Sequence, residues 1–257
     1  MTTPPSTIGL ALSGGAVLGA AHVGVLQALE EHQVQAEYVA GTSIGAFIAT
    51  LYAFGVEAKT MENMGNGLSW IDVTGLSLSR YALLSNEKLG KLLTKHIGQK
   101  NLEDAPIPLA LVATDISNGE KVVLREGPAD KAVMASTCIP GIFKPVEIDG
   151  RLLVDGGIVE NTPIDTVKSL GADYVIGVDL LSNLIHNRPN HIVDVIINSF
   201  HYTLRAAALH QTEKADLAIA PNTTGFSRSR MGQIKKLMEQ GYKDALHILQ
   251  TSNLPQP

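Results

Sequence analysis

The chain has a single cysteine in 257 residues, Cys138, which excludes an intrachain disulfide framework, weakens any cysteine-based metal site and fits a reducing compartment. It has no surplus of positive charge. Lys and Arg number 20 against 25 Asp and Glu, a net charge of -5, so there is no broad attraction to nucleic acid or to an anionic membrane. No uninterrupted apolar run approaches the roughly 20 residues that span a bilayer, since the longest are cut by Gly, His or Asp. Met1 to Thr7 lacks the basic start and apolar stretch of a secretory signal. Internal repeats and low-complexity segments are also missing. These absences leave a cytoplasmic protein, soluble or peripheral at the inner face of the membrane, as the expectation.

What is present suits a compact enzyme. The composition is 45% hydrophobic and 18% charged with 24 glycines, and the length fits one α/β domain over 1–257. Its core is expected over about 8–220 and a C-terminal helix over about 230–250. Ile8 to Leu12 is a short apolar run broken by Gly14 and Gly15, after which Val23, Leu26 and Leu29 carry helical spacing. Tyr38 to Ala40 then leads into Gly41-Thr42-Ser43-Ile44-Gly45 and a small-residue helix. Later apolar runs at 109–113, 152–154, 174–178 and 217–220 alternate with helical stretches at 162–170 and 191–210. Such alternation predicts a three-layer α/β/α fold with a mostly parallel central sheet.

Gly41 to Gly45 matches G-x-S-x-G, a strand-to-helix turn so tight that only glycines fit around the exposed serine. Ser43 is therefore the candidate nucleophile. Attack by a serine places charge on the substrate oxygen, which needs backbone N–H donors. The loop Ser13-Gly14-Gly15-Ala16-Val17-Leu18-Gly19 can supply them through Gly14, Gly15 and Ala16, with Ile44 N–H as a further donor. The same loop is a poor nucleotide site, because G-x-G-x-x-G is broken at Ala16 and no Walker lysine follows. For the base, any of five histidines beyond residue 155 could complete a triad, and His191, His201 and His210 fall in one amphipathic helix. Asp155 offers another solution, since Arg151 to Val154 forms an apolar strand that ends at Asp155-Gly156-Gly157, where a sheet presents functional groups.

Taken together, the glycine block at Leu12 to Leu26, the elbow at Gly41 to Gly45 and the Asp155-Gly156-Gly157 element resemble a bacterial patatin-like phospholipase. Ser136 to Gly141 and Asn161-Thr162-Pro163 resemble family segments flanking the aspartate. The resemblance covers Ile8 to about Asp179. It implies a Ser-Asp dyad in which Asp155 activates Ser43 and then the hydrolytic water, an acyl-lipid substrate, and no metal or organic cofactor. Two positions depart from the family pattern: Ala16 replaces a usual glycine and Leu18 a usual Arg or Lys. Ala16 is compatible with the donor geometry at negative φ. Without a cation at Leu18, neutral esters or lysolipids become the favoured substrates unless Arg80, Lys144 or Arg151 supplies the charge. An acyltransferase, a Ser-His-Asp esterase and a silent lipid-binding module are the competing readings.

Lipid access raises two further expectations. Gly65 to Leu84, with Trp70, Ile71, Val73, Leu76, Leu78 and Leu83 in no sustained period, is either a connection tucked onto the core or an acyl-chain entrance. Ile192, Val193, Ile196, Ile197, Phe200 and Leu204 form a helical stripe that is either the buried face of a covering helix or part of an acyl-binding surface that docks on membranes or micelles.

Overall fold

The computed structural model describes residues 7–77, 82–183, 189, 192–252 and 254. In chain order, β1 (Ile8–Leu12) leads through a 3-10 turn at Ala16–Gly19 into α1 (Ala20–Glu31), and β2 (Tyr38–Thr42) into α2 (Ile44–Ala53). Three short or peripheral pieces follow, α3 (Ala58–Gly65), α4 (Trp70–Val73) and the hairpin β3 (Gly75–Leu76) with β4 (Leu84–Ser85). Then come α5 (Glu87–Ile97), β5 (Leu109–Asp115), β6 (Lys121–Leu124), α6 (Ala129–Ser136), β7 (Val146–Ile148) and β8 (Arg151–Asp155). The chain closes with α7 (Ile164–Lys168), β9 (Tyr174–Val178), α8 (Ile192–Thr212), β10 (Leu217–Ile219) and α9 (Ile234–Thr251).

One eight-stranded sheet runs β10-β9-β1-β2-β5-β8-β7, with β6 pairing to β5. From β10 to β5 every pairing is parallel, and the pairings of β5 with β6, of β5 with β8 and of β7 with β8 are antiparallel. The central strands are apolar at consecutive positions because both faces are covered. Leu10 and Leu12 of β1 pack on the side of α1, α2 and α9, whereas Ala11, Ala40 and Ala110 meet Ile164 and Val167 of α7 on the other. The expected layers are thus present.

α1 and α9 cross almost backbone to backbone. A Cβ added at Gly241 would stand 2.1 Å from the Ala21 carbonyl oxygen, and one at Gly24 only 1.9 Å from that of Met238. Gly241→Ala is therefore expected to push the helices apart at a cost of about 2–3 kcal/mol and to lower the thermal midpoint by about 5–10 °C. A scan showing an unchanged midpoint would mean that the crossing tolerates the extra methyl.

Candidate active site

Ser43 sits between β2 and α2 at φ 56 and ψ -129, a strained backbone for a residue with a side chain. Its neighbours explain why glycine follows two residues later: a Cβ at Gly45 would lie 2.2 Å from the Leu12 carbonyl oxygen, so α2 begins in contact with the end of β1. Ser43 N–H donates to Ser136 Oγ at 2.9 Å, and Ser136 Oγ donates in turn to the Val112 carbonyl at 2.6 Å. Ser136 thereby ties the elbow to β5. The flanking-segment resemblance included this residue, but nothing in the sequence assigned it that task.

Ser43 Oγ donates to Asp155 Oδ2 at 2.6 Å across 112 residues of chain. The sheet register explains the meeting. β5 pairs with β2 as far as Val112, opposite Thr42, and with β8 from Ala113, opposite Asp155. The ends of β2 and β8 thus converge on adjacent residues of one strand, and Ser43 is the residue after Thr42. Asp155 Oδ1 accepts Gly157 N–H at 2.8 Å, and Thr114 Oγ1 donates to the Asp155 carbonyl at 2.9 Å. Complete burial pushes the Asp155 carboxyl up to about 7, against the opposing pull of the hydrogen bonds from Ser43 and Gly157.

The glycine loop divides its donors. Gly14 N–H is bonded to the Asn161 carbonyl at 3.2 Å and Val17 N–H to that of Arg228 at 3.1 Å, so Gly14 is not open to a substrate in this geometry. Gly15 and Ala16 precede or open the 3-10 turn and Ile44 opens α2, positions whose N–H groups have no acceptor within the helix. Ala16 departs from the expectation of negative φ: it sits at φ 51, a conformation glycine adopts freely and alanine only at a cost of about 1–2 kcal/mol. Leu18 is fully buried in the core. Lys144 and Arg151 are exposed and neither lines the cavity at Ser43; Arg80 lies outside the described residues.

No histidine among the described residues bonds to Ser43 or Asp155. His22 is buried in α1 and its Nε2 lies 2.8 Å from the Ser13 carbonyl; burial lowers its pKa to about 4, so it stays neutral and donates there. His201 is buried and lowered to about 3 by burial and by the nearby Arg228 charge. His210 lies exposed beside Glu213, and His191 lies outside the described residues. Cys138 offers no rival nucleophile, because burial and the Asp155 charge push its thiol far up.

From Ser43 a cavity of about 150 Å³ opens among α1, α2, α3, α5 and α9. Ile44, Phe47, Ile48 and Leu51 line it from one face of α2, opposite Met61 and Met64 of α3, Leu89 and Leu92 of α5, and Ile234 and Met238 of α9. Gly65, Leu68, Trp70, Val73 and Thr74 complete the wall, so the middle segment does border the serine. The stripe on α8 does not. Ile197 and Leu204 are buried, Ile196 and Phe200 pack against Cys138, Ile139 and Phe143, and Ile192 is 65% exposed; the Val193 side chain and Leu78 lie outside the described residues. None of the described α8 side chains lines the Ser43 cavity. No described helix is long and apolar enough to cross a membrane.

A strained serine between strand and helix, a carboxylate on its hydroxyl and an adjacent glycine loop define a nucleophile-elbow site on a doubly covered α/β sheet. The family model for patatin-like phospholipase matches residues 10–168, and the chain belongs to that family. It is 36% identical over 176 residues to an NTE family protein of Mycobacterium bovis, covering 67% of this chain and 49% of the relative. It is 34% identical over 185 residues to the mouse patatin-like phospholipase domain-containing protein 6, covering 68% of this chain and 14% of that one. It is 26% identical over 279 residues to lysophospholipase NTE1 of Pyricularia oryzae, covering 95% and 18%. The chain thus spans about half or less of the length of these relatives. Among solved structures, VipD of Legionella pneumophila shares the fold at a TM-score of 0.56 and 16% identity, over 97% of this chain and 68% of that one.

Proposed function

We propose that the protein is a serine acyl-ester hydrolase that cleaves fatty-acyl esters of lysophospholipid type through an acyl-Ser43 intermediate. The observation that carries this reading is the 2.6 Å hydrogen bond from Ser43 Oγ to a fully buried Asp155, at the mouth of an apolar cavity. In the first step Oγ attacks the ester carbon, its proton passes to Asp155 and the carbonyl π pair moves onto oxygen, where Gly15, Ala16 and Ile44 N–H groups can receive it. Collapse of that adduct expels the alcohol, which takes the proton from Asp155. Water then attacks the acyl carbon as Asp155 takes its proton, and collapse of this second adduct releases the fatty acid while Asp155 returns the proton to Ser43 Oγ. A carboxyl pKa raised by burial suits this task, because a base is most effective when its pKa lies near the working pH.

The cavity supports an acyl chain as the bound part. An apolar cavity of this size can hold a hydrocarbon guest, and Leu51 lies eight residues along α2 from Ser43, about 12 Å at 1.5 Å per residue. The name carried by the Pyricularia oryzae relative favours a lysophospholipid among acyl esters.

The test is a substrate panel of lysophospholipids, diacyl phospholipids, acylglycerols and short aryl esters, with a fluorophosphonate as the probe of the nucleophile. One label per chain is expected, mapped to Ser43, because only an activated hydroxyl attacks such a reagent. A label mapped to another residue, or turnover lost in a chelator and restored by added metal, would sink the mechanism.

A further inference from the structure

Four buried side-chain nitrogens lack a hydrogen-bond partner among the described residues: His22 Nδ1, His201 Nδ1, Arg228 Nε and Asn161 Nδ2. Buried polar atoms are almost always paired, so each orphan needs a reason. Asn161 stands apart by its position. Its side chain is 2% exposed and fills the space between the glycine loop and the dyad. A Cβ built on Gly14 would lie 2.7 Å from Asn161 Oδ1, 3.0 Å from Ser43 Cβ and 3.7 Å from Ser43 Oγ. One built on Gly157 would lie 3.1 Å from Asp155 Oδ1 and 3.2 Å from Asn161 Oδ1. The Oδ1 end of the amide thus lies on the side of both Ser43 and Asp155, and the two-fold torsion there lets Nδ2 exchange places with it.

The backbone of Asn161 is fully engaged elsewhere. Its N–H donates to Gln211 Oε1 at 2.9 Å and its carbonyl accepts Gly14 N–H at 3.2 Å. These contacts hold the residue in register with the glycine loop whatever its side chain is. The side-chain N–H is left without an acceptor among the described residues, and turning the amide about its terminal torsion brings it to the side of Ser43.

We infer that Asn161 belongs to the catalytic centre, its side-chain amide donating an N–H to the ester carbonyl oxygen as that oxygen takes up charge. The donor joins the N–H groups of Gly15, Ala16 and Ile44 and strengthens as the bond from Ser43 Oγ forms, so it lowers the barrier more than it tightens ground-state binding. A preorganised donor of this kind has a characteristic effect on rate, about 10²- to 10³-fold in kcat when removed. The inference rests on the hydrolase reading above.

The experiment compares wild type, Asn161→Ala and Asn161→Asp on p-nitrophenyl butyrate, with a decyl trifluoromethyl ketone as the probe of the tetrahedral adduct. Both variants should lose about 10²- to 10³-fold in kcat with KM within about threefold, and affinity for the ketone should fall by the same factor as kcat/KM. The thermal midpoint identifies folded protein, and Asn161→Asp carries the test if the alanine variant does not fold. Wild-type kcat in a folded variant would overturn the inference. So would a loss in kcat with unchanged ketone affinity and a shifted acid limb of the pH profile, which would assign the amide to Asp155 instead. Failure of the hydrolase reading looks different: the wild type itself would neither turn over the ester nor take a fluorophosphonate label at Ser43.

Discussion

Ser43→Ala and Asp155→Asn are each expected to reduce kcat/KM by about 10⁴-fold or more, and the double variant to be little worse, because residues that act as one unit are not additive. Both proteins should fold. Asp155→Asn should in fact be the more stable protein at alkaline pH. The folded carboxyl has a pKa of about 7, above the unfolded value of about 4, so the folded state binds the proton more tightly. That contribution to stability is fully present below pH about 4 and is lost as pH rises through about 7, where the buried group must ionise. Wild-type urea midpoints should therefore fall between these limits by an amount that Asp155→Asn does not show. The activity of the wild type should move the other way, rising through pH about 7 as the base becomes ionised. A folded Asp155→Asn enzyme with near wild-type turnover, alongside a His210→Ala enzyme without it, would replace the dyad by a histidine mechanism.

Plugging the cavity should separate long from short substrates. Met64 lies on α3, half-buried in the wall, so Met64→Trp can fill the space with less strain than a change at the fully buried Leu51. Each methylene kept in water forfeits about 0.8 kcal/mol, and denying about four of them amounts to roughly 10²-fold in kcat/KM. That loss is expected on a palmitoyl lysophospholipid, with a p-nitrophenyl acetate rate within about threefold of wild type. Equal losses on both would mean damage to the site or fold, and no loss on either would put the acyl chain elsewhere. Trp70→Ala should weaken long-chain turnover in the same selective way, since Trp70 forms part of the wall and is held by a 2.6 Å bond from its Nε1 to the Ser229 carbonyl.

Several features were open to reading because their causes are local. The strand-turn-helix at Ser43 follows from steric limits within five residues, and Gly45 could not be larger against Leu12. The parallel strands announced themselves as consecutive apolar residues, a consequence of helices on both faces. Other features had no local signature. The stripe on α8 has good helical spacing, yet spacing cannot say which neighbour a face meets, and this one packs behind Ile139 and Phe143, which line the serine cavity. Lining residues such as Met61, Met64 and Leu92 sit on helices α3 and α5, whose apolar positions look like any core-facing residue.

Sequence alone marked out a candidate nucleophile, a glycine loop and an aspartate as three pieces, because each is a short segment whose backbone geometry its own glycines dictate. Only the tertiary structure decided how the pieces meet. Ser43 and Asp155 are joined because β5 hands its pairing from Thr42 opposite Val112 to Asp155 opposite Ala113, a register set by packing across the whole sheet. The same packing holds Ala16 at positive φ, draws Gly14 N–H to the Asn161 carbonyl and leaves the Asn161 amide beside Ser43 and Asp155. Contacts between segments more than a hundred residues apart depend on the burial of the complete core, and no local pattern encodes them.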